Sequence, residues 1–161
     1  YDPRALKGMG LAYATSDRGA CHLRATFYKP ELAGMIPPEQ IEGKAELILE
    51  FEDRLTIVDT LVLCRFYRDL YLWEPLEEII HAVTGLKAGE AALREKAKEV
   101  ATLIRRFNLR EGMQPEDERL TKALHRPLTD TGKVITEEEL EIMLKDYYRL
   151  HGWDETGQPI S

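Results

Sequence analysis

Apolar residues recur every three or four positions along most of this chain, the spacing that places them on one face of an α-helix. The pattern predicts four main helices, which span about residues 38–60, 74–85, 88–107 and 136–152. Pro38 suits a first helical turn, and Thr136 with Glu139 forms a capping box at the start of the last helix. Glycine commonly ends a helix, and Gly85 and Gly152 each follow the apolar positions of a predicted helical face.

The segments between these helices are long and rich in turn-forming residues. Residues 10–21 allow one short helix, which Gly19 would disturb, and residues 116–125 allow another. The faces of the second and third main helices are expected to bury Val83 and Phe107. No segment alternates apolar and polar residues as a half-buried strand does. The sequence therefore predicts an all-α fold, a multihelical and irregular bundle with long loops, organised as one domain or two small subdomains.

The composition and charge exclude several classes of protein. With 43% hydrophobic and 32% charged residues among 161, the chain is expected to fold rather than to be disordered. Its net charge of -7 gives it no general attraction for phosphate backbones, so we expect no nucleic-acid partner. No apolar run approaches the roughly 20 residues that cross a bilayer, so we expect no membrane span.

The two cysteines, Cys21 and Cys64, are too few for a disulfide framework and suit a reducing cytoplasm. Residues 1–4 contain neither a methionine nor a signal-peptide pattern. We therefore interpret the chain as a cytoplasmic piece of a longer protein.

A carboxylate and a thiol lie five positions apart in the segment Asp59–Cys64, at the end of the first main helix. The cations Arg65 and Arg68 near Cys64 favour its thiolate, the form that binds iron or zinc. One cysteine cannot hold a metal alone, and a buried cysteine that acts as a small apolar residue is common. Asp59 is either a surface residue at a helix end or a buried acceptor for a ligand rich in N–H groups, such as a pterin ring. The residues alone leave these alternatives open.

A second candidate site lies in residues 16–24, around His22. An imidazole can donate or accept a proton near neutral pH, and Gly19 lets the backbone approach a ligand. Arg18 and Arg24 can hold a phosphate group. A single histidine is nevertheless more often structural than catalytic. The other histidines lack convergent partners in the sequence and are interpreted as structural; they are His81, His125 and His151.

Four ordered segments of the chain together resemble the tungsten-dependent aldehyde ferredoxin oxidoreductase family. The segments read DPRALKGMGLAYATSDRGACH at residues 2–22, DTLVLC at 59–64, FNLREG at 107–112 and YYRLHGWDETG at 147–157. Their order and approximate spacing match the C-terminal part of that family along the whole chain. Each segment alone is a weak signal, whereas four in order are a strong one.

The resemblance implies part of an enzyme that oxidises aldehydes to carboxylic acids and passes two electrons to ferredoxin. In such enzymes two molybdopterin-type dithiolenes hold the metal as a tungsten-bis-molybdopterin, and a 4Fe-4S cluster lies nearby. Three cluster cysteines and an N-terminal pterin-binding domain come from an earlier part of the chain. We therefore expect these residues alone to have no tungsten, no complete cluster and no aldehyde oxidation. The resemblance does not name the aldehyde, separate tungsten from molybdenum, or decide whether a homo-oligomer forms.

The same resemblance implies roles for residues 59–64. The family's Asp-x-x-Gly-Leu-Cys motif is similar to this segment, so Cys64 would be the fourth cluster ligand. Asp59 and Leu63 would contact one pterin. Val62 stands where the family has glycine, and its side chain is expected to crowd the pterin at that position.

The resemblance also implies roles within residues 16–24. His22 matches a family histidine near the metal, where it would hydrogen-bond substrate or pterin and shuttle a proton as a catalytic residue. Arg24 falls where the family can place a basic pterin contact. Both roles depend on the resemblance, because neither residue has a diagnostic spacing of its own.

Two interpretations from different classes follow from the sequence. The first is the C-terminal helical portion of a tungstopterin oxidoreductase. The second is a self-contained helical interaction module in which Cys64 and Asp59 are structural. Thiol redox chemistry through Cys21 and Cys64 is a third, which the lack of a Cys-x-x-Cys pair disfavours.

Overall fold

Helices make up the regular structure of residues 1–160, the part of the chain that the computed structural model describes. The six α-helices are α1 (Lys7–Ala14), α2 (Tyr28–Leu32), α3 (Lys44–Thr60), α4 (Trp73–Thr84), α5 (Glu90–Arg110) and α6 (Glu137–His151). Three short 3-10 helices lie at Arg65–Tyr67, Pro115–Asp117 and Lys122–His125. Within residues 1–160 there is no strand, only two isolated bridges. The prediction of an all-α, multihelical fold is confirmed.

The last three α-helices follow the predicted bounds closely, whereas the first half of the chain differs. The helix expected from residue 38 begins at Lys44, because Gly43 has a left-handed φ of 77° and a right-handed helix cannot pass through it. The short helix expected within residues 10–21 is α1, which lies earlier in the chain. Residues 116–125 form parts of two 3-10 helices instead of an α-helix. Nothing in the apolar spacing predicts α2.

The end signals of α4 and α6 are confirmed. The hydroxyl of Thr136 accepts the backbone N–H of Glu139 at 3.1 Å, and the Glu139 carboxylate accepts the N–H of Thr136 at 2.9 Å. Gly85 and Gly152 cap the C-terminal ends of α4 and α6 with left-handed φ angles of 76° and 72°. The start of α6 and the C-terminal ends of α4 and α6 are therefore set by residues that lie at those ends.

Helix α3 organises the bundle, since it packs against α5, α6 and α1. The larger hydrophobic cluster joins α1, α3 and α6 and includes the buried side chains of Met9, Leu11, Ile48, Leu140 and Met143. The smaller cluster joins the end of α3 to α4 and α5 and consists of Ile57, Val58, Leu76, Ile80, Leu93 and Ala97. The segment that follows α3 therefore begins beside the smaller cluster. None of the helices in residues 1–160 is long and apolar enough to cross a membrane.

Two side chains that the apolar spacing assigns to buried faces are exposed. Val83 is 80% exposed and Phe107 is 53% exposed. Each lies in the last turn of its helix, past the last buried residue of that helix, which is Ile80 in α4 and Arg105 in α5. The spacing gives the direction of a helix face correctly but does not show where the neighbouring helix ends.

Ion pairs inside the bundle connect its helices. Nζ of Lys44 lies 2.6 Å from Oε1 of Glu31, which also accepts the backbone N–H of Gly8, so this fully buried pair joins α1, α2 and α3. Both guanidinium Nη atoms of Arg105 contact the carboxylate of Glu118, which is 1% exposed. Loss of one partner in such a pair leaves a buried charge and costs about 3–5 kcal/mol. Buried ion pairs therefore stabilise the interior in addition to apolar packing.

His151, the last residue of α6, is buried between aromatic rings. Its imidazole stacks on Trp153 with ring centroids 4.3 Å apart and meets the ring of Tyr147 at 4.5 Å. Neither ring nitrogen has a hydrogen-bond partner among residues 1–160. Burial, together with the charges of Lys98 and Arg105, lowers the pKa of His151 to about 4. The interpretation of this histidine as structural agrees with its place in the core.

The titration of His151 predicts acid destabilisation. The unfolded imidazole takes up a proton near pH 6.5 and the folded one only near pH 4, so stability is full above pH 6.5 and falls as the pH decreases towards 4. Between pH 7.5 and 4.5, His151→Phe should remove about 2–3 kcal/mol of the pH-dependent loss, measured by urea unfolding. His81→Phe, at an exposed position of α4, is the control and should keep the wild-type slope. Equal slopes for all three proteins would contradict the assignment.

Candidate functional site

Two loops bring predicted site residues together at one end of α3. The first loop, residues 15–27, joins α1 to α2 and carries His22 and Arg24. The second loop follows α3 and carries Cys64. Nη1 of Arg24 lies 3.1 Å from Oδ2 of Asp59, in the last turn of α3. Two residues that the sequence singled out separately, 35 positions apart, are therefore in direct contact.

Arg65 makes a second connection between the loops. Its Nε and Nη2 donate to the two carboxylate oxygens of Asp59, with Nε 2.7 Å from Oδ1, and its Nη1 donates to the carbonyl oxygen of Leu23. The guanidinium of Arg68 donates to the carbonyl oxygen of Arg65 and to a tyrosine hydroxyl. Both cations that the sequence places near Cys64 therefore bond to other groups. Arg65 ties the His22 loop to the turn that bears the thiol.

Arg24 is surrounded by three carboxylates. Its Nε lies 3.1 Å from Oδ1 of Asp17 and its Nη2 lies 4.0 Å from Oε1 of Glu52, in addition to the contact with Asp59. Burial opposes the charge of Arg24, but the nearby carboxylates outweigh it and raise the pKa of the guanidinium. The side chain is 6% exposed. The guanidinium of Arg24, which the sequence suggested as a phosphate contact, is therefore already paired with carboxylates of the protein.

The carboxylates around Arg24 differ in their preferred state. Burial opposes the ionisation of Asp59, but the hydrogen bonds and charge of Arg65 outweigh it and hold the pKa of Asp59 below its ordinary value. Burial raises the pKa of Glu52, although Arg24 attracts its ionised form and the Tyr147 hydroxyl donates to it at 2.9 Å. A cavity of about 30 Å³ adjoins Glu52, with room for one water molecule. The site thus combines an ionised carboxylate with one whose ionised form is disfavoured.

The turn that carries Cys64 ends α3 in a Schellman motif. The N–H of Val62 donates to the carbonyl of Asp59 at 2.9 Å, and the N–H of Leu63 donates to the carbonyl of Val58 at 3.0 Å. The Leu63 side chain packs against the smaller hydrophobic cluster, which contains Val58, as this motif's apolar contact requires. Val62 occupies the left-handed position with a φ of 58° and is 90% exposed. Asp59, Val62 and Leu63 thus form the end of the helix. The thiol of Cys64, which follows them, is exposed.

His22 is exposed on the first loop, with its ring centroid 6.0 Å from that of Tyr1. The preceding residue, Cys21, accepts a contact from Nη2 of Arg18 at 3.6 Å. Burial opposes ionisation of the Cys21 thiol, but backbone N–H groups and Arg18 outweigh it and lower the pKa of the thiol. Arg18 therefore stabilises the thiolate of Cys21. The imidazole of His22 is accessible to a molecule that approaches the loop.

An apolar surface, here called the Cys64 surface, flanks the exposed thiol along the chain. Its side chains are 55–91% exposed and belong to Val62, Phe66, Tyr67, Leu70 and Leu72. Large exposed apolar patches mark contacts with another protein, domain or ligand. The Cys64 surface therefore has the character of an interface.

Cys64 offers a single ligand to a metal. No group of three or more His, Cys, Asp or Glu side chains in residues 1–160 is arranged to hold a metal ion. A metal cluster bound through Cys64 would take its other ligands from outside these residues.

Sequence reasoning missed Glu52, Thr56 and Tyr147 as members of this site. Glu52, Thr56 and Asp59 lie four and three positions apart, so they form one polar row on α3 that faces Arg24. The sequence shows that these three residues share a face of α3, but the helix also carries Glu46, Glu50 and Arg54, so spacing alone does not single them out. Tyr147 lies 95 positions from its partner Glu52, and no local pattern indicates that contact.

Comparisons with known proteins bear on the whole chain. Residues 1–161 match a protein-family model described as aldehyde ferredoxin oxidoreductase, domains 2 and 3. The chain is 30% identical over 167 residues to the tungsten-containing aldehyde ferredoxin oxidoreductase of Pyrococcus abyssi. It is 31% identical over 167 residues to the protein of that name from Thermococcus kodakarensis, and 30% identical over 164 residues to that from Pyrococcus furiosus. Each match covers 98% of this chain and 27% of the relative, so the chain spans about a quarter of the length of these curated relatives.

Replacement of Arg24 should destabilise the protein strongly. Arg24→Met leaves Asp17, Glu52 and Asp59 close together without their shared cation, and we expect a loss of about 3–5 kcal/mol in the free energy of unfolding. Arg18→Met, at an exposed arginine of the same loop, is the matched control and should change that energy by less than about 0.5 kcal/mol. Urea unfolding followed by circular dichroism measures both. Similar effects of the two substitutions would refute the central position of Arg24.

Replacement of Val62 by glycine should stabilise the protein. A β-branched residue is strained at a φ of 58°, and Val62 buries little surface, so Val62→Gly should gain about 1 kcal/mol. The matched control is Val83→Gly, an exposed valine in the last turn of α4, which should lose about 0.5 kcal/mol. Thermal unfolding of both variants shows the sign of each change. A lower melting temperature for Val62→Gly would rule out backbone strain at this position.

Proposed function

The chain belongs to the aldehyde ferredoxin oxidoreductase family, and we propose on that premise that it forms one wall of the cofactor site in an enzyme that oxidises aldehydes to carboxylic acids with ferredoxin as electron acceptor. The observation that carries this proposal is that Arg24 contacts both family segments, residues 2–22 through Asp17 and residues 59–64 through Asp59. Arg65 adds a link from Asp59 to the backbone of Leu23. They meet beside an exposed thiol and an exposed imidazole.

Cys64 is the proposed ligand of a 4Fe-4S cluster. A thiolate is the ligand that iron–sulfur clusters use, and this thiol stands exposed on a turn whose backbone is fixed by the end of α3. The other cluster ligands would come from an earlier part of the longer enzyme. The apolar Cys64 surface would pack against that part, the pterin-binding domain, and keep water away from the cluster.

Asp59 and Leu63 are the proposed contacts for one pterin of a tungsten-bis-molybdopterin. Oδ1 of Asp59 accepts one hydrogen bond from Arg65, so it retains a lone pair for a pterin N–H. The N–H of Leu63 is already bonded to Val58, so its pterin contact would involve the carbonyl or the side chain. Arg24 would act on the pterin through Asp59, which it contacts at 3.1 Å and whose ionised form Arg65 and, to a lesser extent, Arg24 favour.

The proposed reaction divides its work between the cofactors and the protein. When bound, the tungstopterin supplies the oxygen-atom and electron transfer. Oxidation of an aldehyde with water releases two electrons, which leave to ferredoxin, and two protons, which need an acceptor. His22 is the proposed proton carrier, because its imidazole is exposed on the loop that Arg65 fastens to the turn before the cluster ligand. The free thiols Cys21 and Cys64 suit the reducing cytoplasm that we propose as its location.

The two cysteines allow a controlled test of the cluster assignment. In the complete enzyme, Cys64→Ala should lose cluster iron and the electron paramagnetic resonance signal of the reduced cluster, while Cys21→Ala should keep both. Tungsten measured on the same samples shows whether the protein still assembles its other cofactor. Unchanged iron in Cys64→Ala would remove Cys64 from the cluster and favour a structural role for this thiol.

A further inference from the structure

Five charged side chains form one connected group between the two site loops and helix α3. Three carboxyl groups and two guanidinium groups belong to it, those of Asp17, Glu52, Asp59, Arg24 and Arg65. The carboxyl groups therefore outnumber the cations by one. Because an unbalanced charge is costly inside a protein, this count favours one bound proton on one of the three acids.

Glu52 is the acid whose position suits that proton. Its Oε1 lies 4.0 Å from the guanidinium of Arg24, whereas Asp17 and Asp59 each place a carboxylate oxygen at 3.1 Å. The side chain of Glu52 is 8% exposed, compared with 24% for Asp17 and 35% for Asp59. Burial raises the pKa of Glu52, which acts in the same direction. The acid farthest from the cations and from water thus has the least support for its ionised form.

Other charged and titratable side chains approach Glu52 from every element packed around it. They are Asp17 and Arg24 of the first loop, Asp53 and Asp59 of α3, Arg65 of the second loop, Arg105 of α5 and Tyr147 of α6. Asp53 contacts Arg94 at 4.0 Å, and Arg105 is paired with Glu118. The hydroxyl of Tyr147 is the direct hydrogen-bond donor to Glu52.

A proton can reach Glu52 through the cavity of about 30 Å³ that adjoins it. Asp17 and Arg24 also line this cavity. Oδ1 of Asp17 and Nε of Arg24 lie 3.1 Å apart without the alignment of a hydrogen bond, and each is buried with no other partner among residues 1–160. One water molecule would fit there and bond to such atoms. Because Asp17 is partly exposed, it connects that water to the solvent.

The charge of Glu52 also acts at the end of α3. Glu52 precedes Asp59 by seven positions, which is roughly 10 Å along the helix, and Cys64 follows in the next turn of the chain. A unit charge at such a range changes the proton affinity of a carboxyl group by about tenfold. An electron that arrives beside Cys64 therefore favours the protonated form of Glu52, and the departure of that electron favours its ionised form.

We propose that Glu52 is a charge-compensating residue, which takes up one proton through the cavity water and Asp17 when an electron reaches a cluster bound at Cys64, and returns that proton when the electron leaves. The step is balanced, because one O–H bond of Glu52 forms for each electron gained and breaks for each electron passed on. Oxidation of an aldehyde releases two protons as well as two electrons, so a proton site in addition to His22 keeps the interior neutral. This role rests on the proposed function, since it presupposes Cys64 as a cluster ligand.

Redox titrations of the complete enzyme at several pH values test the link. The electron paramagnetic resonance signal of the reduced cluster gives its reduction potential. Ionised Glu52 disfavours the added electron, so the potential should fall as the pH rises, by about 59 mV in total for a tenfold change in proton affinity. Glu52→Gln cannot bind the proton and should lose this fall. Glu50→Gln removes an exposed acid of the same helix and should keep it, which makes it the matched control.

Tyr147→Phe separates proton binding from a structural role of Glu52. The hydrogen bond from Tyr147 favours the ionised carboxylate against burial, so its loss should move the fall in potential to higher pH and leave its size unchanged. Infrared difference spectra between the reduced and oxidised enzyme give a second readout. The C=O band of a protonated carboxyl group should appear on reduction of the wild type and be missing from Glu52→Gln.

The possible failures are distinguishable. An equal pH dependence of the potential in wild type and Glu52→Gln overturns the role of Glu52, and so does a fall that stays at the same pH in Tyr147→Phe. Equal losses in Glu52→Gln and Glu50→Gln overturn it as well, because any acid on α3 would then suffice. Cluster iron that survives Cys64→Ala overturns the proposed function itself, and it is measured on a different variant.

Discussion

The buried guanidinium of Arg24 holds the site loops and helix α3 in one arrangement. Its three carboxylate neighbours come from different places, Asp17 from the first loop, Glu52 from the middle of α3 and Asp59 from its last turn. A charge inside a protein is tolerated only when such partners surround it, so a shift of either element exposes an uncompensated charge. Arg65 adds a second cation to the group. Arg65 holds the pKa of Asp59 below its ordinary value, whereas burial raises the pKa of Glu52.

Two other buried ion pairs also connect elements of the bundle. Glu31 with Lys44 fastens α2 to the start of α3, and Arg105 with Glu118 fastens α5 to the irregular segment before α6. Apolar contacts alone divide into two clusters that share α3. Because ion pairs demand specific partners and directions, they add definition to a bundle whose loops are long. Interior charge thus fastens the first site loop to α3, while the end of α3 itself sets the turn before Cys64.

The helices were the predictable part of this molecule, because their causes are local. The capping box at Thr136 and the glycine stops at Gly85 and Gly152 lie within a few residues of the ends they determine. The start of α3 was not predictable from the apolar spacing, since the conformation of Gly43 overrides it. The exposure of Phe107 depends on where a neighbouring helix ends, which no window of sequence contains.

The site was predictable only in its members that belong to recognisable segments. Asp59, Cys64, His22 and Arg24 were chosen from motifs, but the contact between Arg24 and Asp59 crosses 35 positions of the chain. Glu52 and Thr56 share a face of α3 with Asp59, but other charged residues on that helix hide this pattern in the sequence. Tyr147 was not, since it meets Glu52 only after α3 and α6 have packed.

The turn before Cys64 can be described by its amino-acid sequence or by its backbone conformation, and the two descriptions differ. As letters, the segment departs from its family at Val62, where glycine is expected. In its backbone, Val62 takes the left-handed conformation that glycine adopts most easily, and both Schellman hydrogen bonds are formed. What the segment encodes is a place for a sulfur atom at a fixed distance beyond the end of a helix. A search by letters counts a mismatch at position 62, whereas a search by backbone shape would look for a left-handed residue there, which this turn has.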